Sequence, residues 1–416
     1  MSEERCLRLC FETLAGFLVA TTVLAYPLSA NDSGSSINGI YRGTIGRQQI
    51  VLEMGVYLPR EDNKNNSDSQ DRKTYPIEGR YFYRRHGVDI HLVGMWLGDD
   101  TLRLREYRRA PDDEFGAEWR LRIRGDSAVG TFCECDLSGA SSRVGPLLKI
   151  SLKRLSREFY SESEPQDQDP YYDLVLDFPL KDGPVIEVNP GIAYTMQSDP
   201  RFGVSRPRLT RFPEAGVMAR INRDLAAELR WDRWQAHGNL SEALLEASLG
   251  GFYDESTSVS FFPPDILSVR VDRSWYWGGA HPNSATYVRN YDLHTGRKFD
   301  LNHAFQTAEG GTAEGDLAGL IAKLYRRHYV KPVGPVAAED CDDVLHRITS
   351  DKNELIDAFA PNNATFFVSG QGLVVIPTFL YADSGCGPDI TIPYGELRPY
   401  VKKDSMLRLL VDHQAN

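Results

Sequence analysis

Between residues 37 and 155, apolar and polar positions alternate along short segments that are separated by turn residues. The segments at 79–83 and 88–93 flank Arg84-Arg-His-Gly, a pattern that is typical of a β-hairpin. Comparable segments recur roughly every ten residues with polar turns between them. We therefore predict an all-β domain over residues 37–155, an antiparallel meander that closes, or nearly closes, into a small barrel.

An acidic stretch without apolar periodicity, residues 156–170, follows this domain and is typical of a linker. Beyond it the apolar spacing changes to steps of four, as on the buried face of an amphipathic helix. The stripe consists of Val217, Ile221, Leu225 and Leu229. The stripe predicts a helix within a second domain, which we place at residues 171–413.

The remaining pattern of this second domain mixes helices and strands. Further helices are predicted from Asp316 to before Pro332, around 341–348 and around 351–359. Strands are predicted near 173–178, 184–188, 252–262, 266–271, 365–369, 373–378 and 390–393. We expect an α+β domain in which helices pack on an antiparallel sheet.

One stretch stands out for its chemistry. The aromatic run Arg273-Ser-Trp-Tyr-Trp enters a Gly-Gly-Ala-His-Pro corner, and the chain returns through an alternating strand. Glycines let a ligand approach the backbone closely, and neighbouring aromatic rings offer stacking faces. The candidate binding residues are Trp275, Trp277, Gly278, Gly279, His281 and Tyr287. The alternative for His281 is a structural role, in which its ring ties the corner to a neighbouring carbonyl.

This corner, with the continuation Asn-Tyr-Asp-Leu-His-Thr-Gly-Arg-Lys-Phe-Asp-Leu at 290–301, resembles an extracytoplasmic domain family of unassigned chemistry. The family occurs in the lysozyme-sensing anti-sigma factor RsiV and beside the catalytic domain of the peptidoglycan deacetylase PdaC. Residues 370–377 and 389–397 match the same family, and residues 174–274 resemble its companion region. The resemblance covers somewhat over half of the chain. It implies a recognition domain with a lysozyme-like or cell-wall partner.

Residues 1–30 read as a secretory signal, because two arginines precede a short apolar run from Leu14 to Ala25. The expected location is therefore the periplasm or another extracytoplasmic space. An uncleaved anchor is the alternative, and no other apolar run approaches the length of a membrane span. Only thirteen residues precede the apolar run, too few for a domain that grips a sigma factor.

The formal net charge is −11. The first thirty residues contribute −1, which leaves −10 for the exported part. This balance argues against nucleic acid and anionic membrane surfaces as partners, because both require a basic face. It is compatible with a cationic partner.

Four cysteines follow the predicted signal, an even number that suggests disulfides in an exported chain. We predict a Cys341–Cys386 bond. Cys133 and Cys135 either pair with each other or stay reduced. A Cys-x-Cys pair is also half of a metal site, but no neighbouring His or Cys completes it, so we predict no metal.

The sequence contains no nucleophile elbow, zinc-protease motif, P-loop or dinucleotide fingerprint, and no catalytic deacetylase domain. We expect no cofactor. The resulting hypothesis is an exported binding or sensing protein of the cell envelope, which recognises lysozyme or a cell-wall component. One alternative is a peptidoglycan hydrolase that uses His281 with nearby carboxylates. A second alternative is a structural envelope protein without a small ligand.

Overall fold

The computed structural model describes residues 37–56, 77–98, 100–108, 114–134, 145–157, 169–245, 251–262, 265–278, 281–306, 313–329, 364–377 and 388–413. Its internal contacts divide the chain into two compact units. The first unit comprises Met1–Phe178 with Leu240–Gly250, and the second comprises Pro179–Asn239 with Gly251–Asn416. The domain limits predicted from the sequence stay predictions.

The first unit contains a closed antiparallel barrel of eight strands in consecutive order. Its strands are β1 Gly39–Ile45, β2 Gln48–Val56, β3 Ile77–Tyr83, β4 Asp89–Gly98, β5 Thr101–Arg108, β6 Glu114–Arg124, β7 Ser127–Cys133 and β8 Leu148–Ser156. The barrel closes because β8 returns to pair with β1, for example Gly43 with Leu152. The predicted meander and its closure are confirmed.

Side chains fill the barrel interior, as period-two alternation requires. Tyr41, Tyr81 and Trp119 are fully buried there, and the Trp119 ring meets Tyr81 edge-on at 4.7 Å. Gly43 permits the close approach of β1 and β8, since a Cβ at this position would lie 1.9 Å from the carbonyl oxygen of Ser151. The barrel therefore has a packed core.

The strand predicted at 173–178 is wrong, because the structure has helix α1 there, Pro170–Leu176. Asp169 caps the helix by accepting a hydrogen bond from the Tyr171 amide at 2.8 Å, and Pro170 occupies its first turn. Tyr171 is buried and donates to Asp89 Oδ1 at 2.6 Å. The apolar run at 174–176 concealed these helix-start signals.

The second unit combines three antiparallel sheets with helices. Its first sheet has the order β11-β10-β9, with β9 Lys181–Asn189, β10 Ile192–Asp199 and β11 Val204–Arg211. The second has the order β12-β13-β14-β15, with β12 Phe252–Phe262, β13 Ile266–Tyr276, β14 Asn283–Asp292 and β15 Lys298–Phe299. The third has the order β16-β17-β18, with β16 Ala364–Val368, β17 Leu373–Pro377 and β18 Ile390–Ile392.

The helices that follow α1 are α2 Ala215–Leu245, α3 Ala313–His328, α4 Tyr394–Leu397 and α5 Met406–His413, and a 3-10 turn spans Leu301–Ala304. Helix α2 packs its apolar stripe, Val217, Ile221 and Leu225, on Val269 and neighbouring residues of the second sheet. A separate core joins α3, α5 and the third sheet. Helices on antiparallel sheets agree with the predicted α+β class for this unit.

Several predictions lie outside the described residues. They concern the signal at 1–30, most of the linker, the helices near 341–348 and 351–359, and the residues Cys135, Gly279, Cys341 and Cys386. Cys133 is buried at the end of β7, and no disulfide joins two described residues. No helix within the described ranges combines the length and apolar character that crossing a membrane requires.

Candidate functional site

The inward stripe of α2 changes character half-way along the helix. Its first part is apolar at Val217, Ile221 and Leu225. The same helical spacing then continues with four polar residues, Glu228, Asp232, Gln235 and Asn239. These four residues line a cavity of about 540 Å³ in the second unit. Polar side chains of the helix therefore form one wall of the cavity.

The facing wall comes from one side of the second sheet, with contributions from all four strands. Register pairs Tyr253 with Trp275 and Val271 with Tyr287, so that these rings and side chains form cross-strand rows. The sheet residues that line the cavity are Tyr253, Val271, Arg273, Trp275, Tyr287, Arg289 and Lys298. A regular β-surface thus fixes the spacing of the aromatic and cationic groups.

Two arginines and two carboxylates form a closed ring that links α2, β11 and the second sheet. We call it the ion ring, and its members are Arg206, Asp232, Arg273 and Glu255. Arg206 Nη1 donates to Glu255 Oε1 at 2.6 Å, and Arg273 Nε donates to Glu255 Oε2 at 2.9 Å. Both arginines also donate to Asp232 through their Nη2 atoms. Each carboxylate therefore bridges both guanidinium groups, which fixes the geometry of all four side chains.

The ion ring is buried. The side chain of Glu255 is fully buried, and those of Arg206 and Asp232 are each 3% exposed. Burial, followed by the charge of Arg206, lowers the pKa of Arg273 to about 10, so this residue remains cationic at neutral pH. Burial and the charge of Glu255 raise the pKa of Tyr253, which stays a neutral phenol. The ion ring thus presents fixed charges beside the cavity.

A second layer of ion pairs lies at more exposed positions of the same cavity. Arg289 Nε donates to Glu228 Oε1 at 2.8 Å, and Lys298 Nζ lies 3.3 Å from Asp224 Oδ2. Four cations line the cavity, and three lining carboxylates together with Glu255 balance them. The site therefore carries no formal net charge.

Tryptophans are concentrated at this site. Trp231 and Trp234 of α2 pack with ring centroids 4.6 Å apart, and Trp275 and Trp277 stack at 6.2 Å and 21°. One member of each pair, Trp231 or Trp275, lines the cavity. The two pairs hold four of the six tryptophans of the chain. The cavity is therefore flanked by an aromatic pair from the helix and another from the sheet.

The predicted binding residues are placed in different ways. Trp275 and Tyr287 line the cavity, and Trp277 extends the aromatic wall from Trp275. Gly278 has φ +118°, a backbone conformation that favours glycine. His281 is exposed and not among the lining residues, and its Nδ1 lies 3.0 Å from the carbonyl oxygen of Pro282. Whether any of them binds a ligand stays a prediction.

The ion ring escaped sequence reasoning. Arg206, Asp232 and Glu255 belong to three elements that are distant in the sequence, and only the tertiary fold brings them to Arg273. One signal was present, since the stripe of α2 continues at helical spacing through Glu228, Asp232, Gln235 and Asn239. Polar residues at inward positions of a helix mark a buried polar site.

The ionisable groups of the site are paired with one another. Within the part of the chain that the structure describes, each carboxylate that lines the cavity has a cationic partner. The described residues include no group of three or more His, Cys, Asp or Glu side chains placed to hold a metal ion. The arrangement suits recognition by fixed dipoles, charges and ring faces.

Comparisons with known proteins give little. No known family profile matches the sequence, and no curated protein matches it. Among solved structures, the chain is distantly similar to a member of the DUF3298 family from Bacteroides fragilis NCTC 9343, with 14% sequence identity and a TM-score of 0.34. That similarity covers 55% of this chain and 96% of the other. A likeness at this level carries no argument about function.

Proposed function

We propose that the second unit is an extracytoplasmic binding module that recognises a component of the cell wall in the cavity beside the ion ring. The observation that carries this proposal is the cavity itself, about 540 Å³ in volume, with tryptophans on two sides and a buried set of fixed charges. Its size is that of a small-molecule site rather than of a protein–protein interface. The sequence features that favour export support the location.

Binding without conversion is favoured by the state of the carboxylates. A glycoside hydrolase needs one protonated carboxylic acid and a second carboxylate beside the scissile bond. Here Asp232 and Glu255 are both bridged by Arg206 and Arg273, so each carboxylate is held by two guanidinium groups. Glu228 is held by Arg289. The carboxylates that line the cavity are therefore all engaged by cations, which does not favour the hydrolase alternative.

The direct experiment is a calorimetric titration of the full chain with purified muropeptides, and separately with hen-type lysozyme. We expect saturable binding of muropeptides and loss of that binding in Arg273→Met, whose matched control is Arg211→Met at an exposed pair with Glu187. Absence of saturable muropeptide binding would remove the proposal.

Two further outcomes identify the alternatives. Binding of lysozyme but not of muropeptides would indicate that the chain recognises a protein through its surface rather than a small ligand in the cavity. That binding would weaken with salt because the chain is acidic. Release of soluble fragments from intact peptidoglycan, abolished by His281→Ala, would establish the hydrolase instead. Absence of any ligand and any activity would leave the structural envelope role.

A further inference from the structure

The aromatic groups of the cavity are arranged as an extended platform. Trp231 is 54% exposed and Trp277 is 38% exposed, although Trp231 packs against Trp234 at 38° and Trp277 stacks on Trp275 at 21°. Indole rings of this size are normally buried, so one exposed ring in each pair beside a cavity indicates a recognition role. The rings lie on two different elements, which gives a ligand more than one stacking surface.

Polar groups of the cavity are fixed and balanced in charge. The ion ring presents guanidinium and carboxylate edges that cannot rotate without breaking two hydrogen bonds each. Gln235 adds an amide that can both donate and accept. Such edges suit hydroxyl and acetamido groups. The balanced charge gives no advantage to an anionic or a cationic ligand.

We infer that the ligand of this cavity is an uncharged oligosaccharide, bound with the apolar faces of its pyranose rings on Trp231 and Trp275 and its hydroxyl groups on the polar wall. This inference rests on the proposed function and names the ligand class of the same site. A pyranose ring has one face of C–H groups and an equatorial rim of hydroxyls, which matches a wall of ring faces beside fixed polar edges. Neighbouring sugars continue along the paired tryptophans.

Other ligand classes fit less well. A nucleotide or another phosphate ester requires an excess of cations, but every cation that lines the cavity faces a carboxylate. A basic peptide requires excess acid, which the balanced wall also lacks. A purely apolar ligand would leave the buried ion ring without polar contacts on the cavity side.

The test uses the full chain and N-acetylglucosamine oligomers as uncharged probes, from the monomer to the tetramer, with tryptophan fluorescence and calorimetry as readouts. The tetramer is expected to bind at least about tenfold more tightly than the monomer, with a dissociation constant that changes less than about twofold between low and high salt. Trp231→Ala is expected to weaken tetramer binding about tenfold, whereas the matched control Trp96→Ala, at a 40% exposed position of the barrel, leaves it unchanged.

The outcomes separate the saccharide inference from the proposed function. Binding of muropeptides without binding of the oligomers would overturn the saccharide inference and leave the proposed function standing. Equal affinity for monomer and tetramer, strong salt dependence, or an equal effect of Trp96→Ala would also overturn the inference. Absence of binding to both probes would overturn the proposed function as well. Because Trp231 is exposed on a helix, its replacement tests binding without threatening the fold.

Discussion

Replacement of Asp232 by asparagine tests the physical basis of the ion ring. Asp232 is buried and accepts hydrogen bonds from Arg206 and Arg273. The Asp232→Asn variant keeps the shape but removes the charge, which leaves Glu255 as the carboxylate that bridges the two buried guanidinium groups. Loss of one member of a buried ionic network costs about 3–5 kcal/mol, and because asparagine retains one acceptor oxygen we expect about 3 kcal/mol. The free energy of unfolding of the second unit should fall by that amount.

A matched control separates burial from charge. Asp224 lies in the same cavity, but its side chain is 36% exposed and its partner Lys298 is 46% exposed. The Asp224→Asn variant removes the same charge at a solvated position, where an ion pair contributes about 0–1 kcal/mol. Urea unfolding followed by tryptophan fluorescence suits both variants, because four of the six tryptophans lie in the second unit. Comparison requires equal denaturant slopes.

A loss of stability in Asp232→Asn that is no larger than the loss in Asp224→Asn would contradict the buried role of this charge. A complementary variant replaces the whole ion ring by apolar side chains of similar volume, Arg206→Met, Asp232→Leu, Glu255→Leu and Arg273→Met. Such replacements are neutral or stabilising by about 1–4 kcal/mol when the residues pack well. We expect this variant to fold and to lose ligand binding. A large loss of stability would assign the ring to the fold instead.

Three further predictions concern single residues. A methyl group added at Gly238 or Gly203 meets no atom within 4 Å, but Gly203 has φ +72°. Gly238→Ala should raise the free energy of unfolding by about 0.5–1 kcal/mol, because alanine favours the helical conformation of α2. Gly203→Ala should lower it by about 1 kcal/mol, because alanine disfavours a positive φ, and thermal unfolding measures both changes. The hydrogen bond to Asp265 raises the pKa of His294 above 6.5. The stabilisation of the folded state by this pair is therefore complete below pH 6.5 and is lost as the pH rises through the folded-state pKa. An NMR titration in which Asp265→Asn leaves the pKa of His294 unchanged would show that this hydrogen bond does not cause the shift. Burial alone would raise the pKa of Asp199, but hydrogen bonds and charge from Arg201, and then the charge of Arg233, lower this pKa below 3.8. The stabilisation of the folded state by Asp199 is therefore present above pH 3.8 and is lost as the pH falls through the folded-state pKa. Acid unfolding should begin at a higher pH in Arg233→Met.

The barrel was predictable because its information is local. Each strand buries one face, and turns such as Tyr83 to Gly87 close through hydrogen bonds between near neighbours. Alternation and turn residues therefore predicted the antiparallel meander and its closure. Helix α1 was missed for an equally local reason, since three consecutive apolar residues at 174–176 outweighed the cap at Asp169 and the following proline. Strands β10 and β11 were missed as well, because polar residues interrupt their alternation.

The candidate site was predictable only in part. Trp275 and Tyr287 lie in the aromatic stretch that the sequence itself marks, so local reasoning reached one wall of the cavity. The opposite wall comes from α2, and Arg206 comes from a third element. Their convergence depends on how the helix packs on the sheet, which no local pattern specifies. The exposed position of His281 likewise depends on the corner that follows β13.

If stability alone had determined the sequence of α2, apolar residues would be expected at its buried polar positions. Val217, Ile221 and Leu225 show that this helix packs on this sheet with ordinary apolar contacts. A leucine in place of Asp232 would extend that packing by one more turn and would avoid the cost of burying charge, which is several kcal/mol per ion. The chain instead spends two carboxylates and two arginines to keep a polar wall beside a cavity. Because the same helix also places exposed Trp231 at that cavity, the proposed recognition of a ligand would explain both departures with one cause.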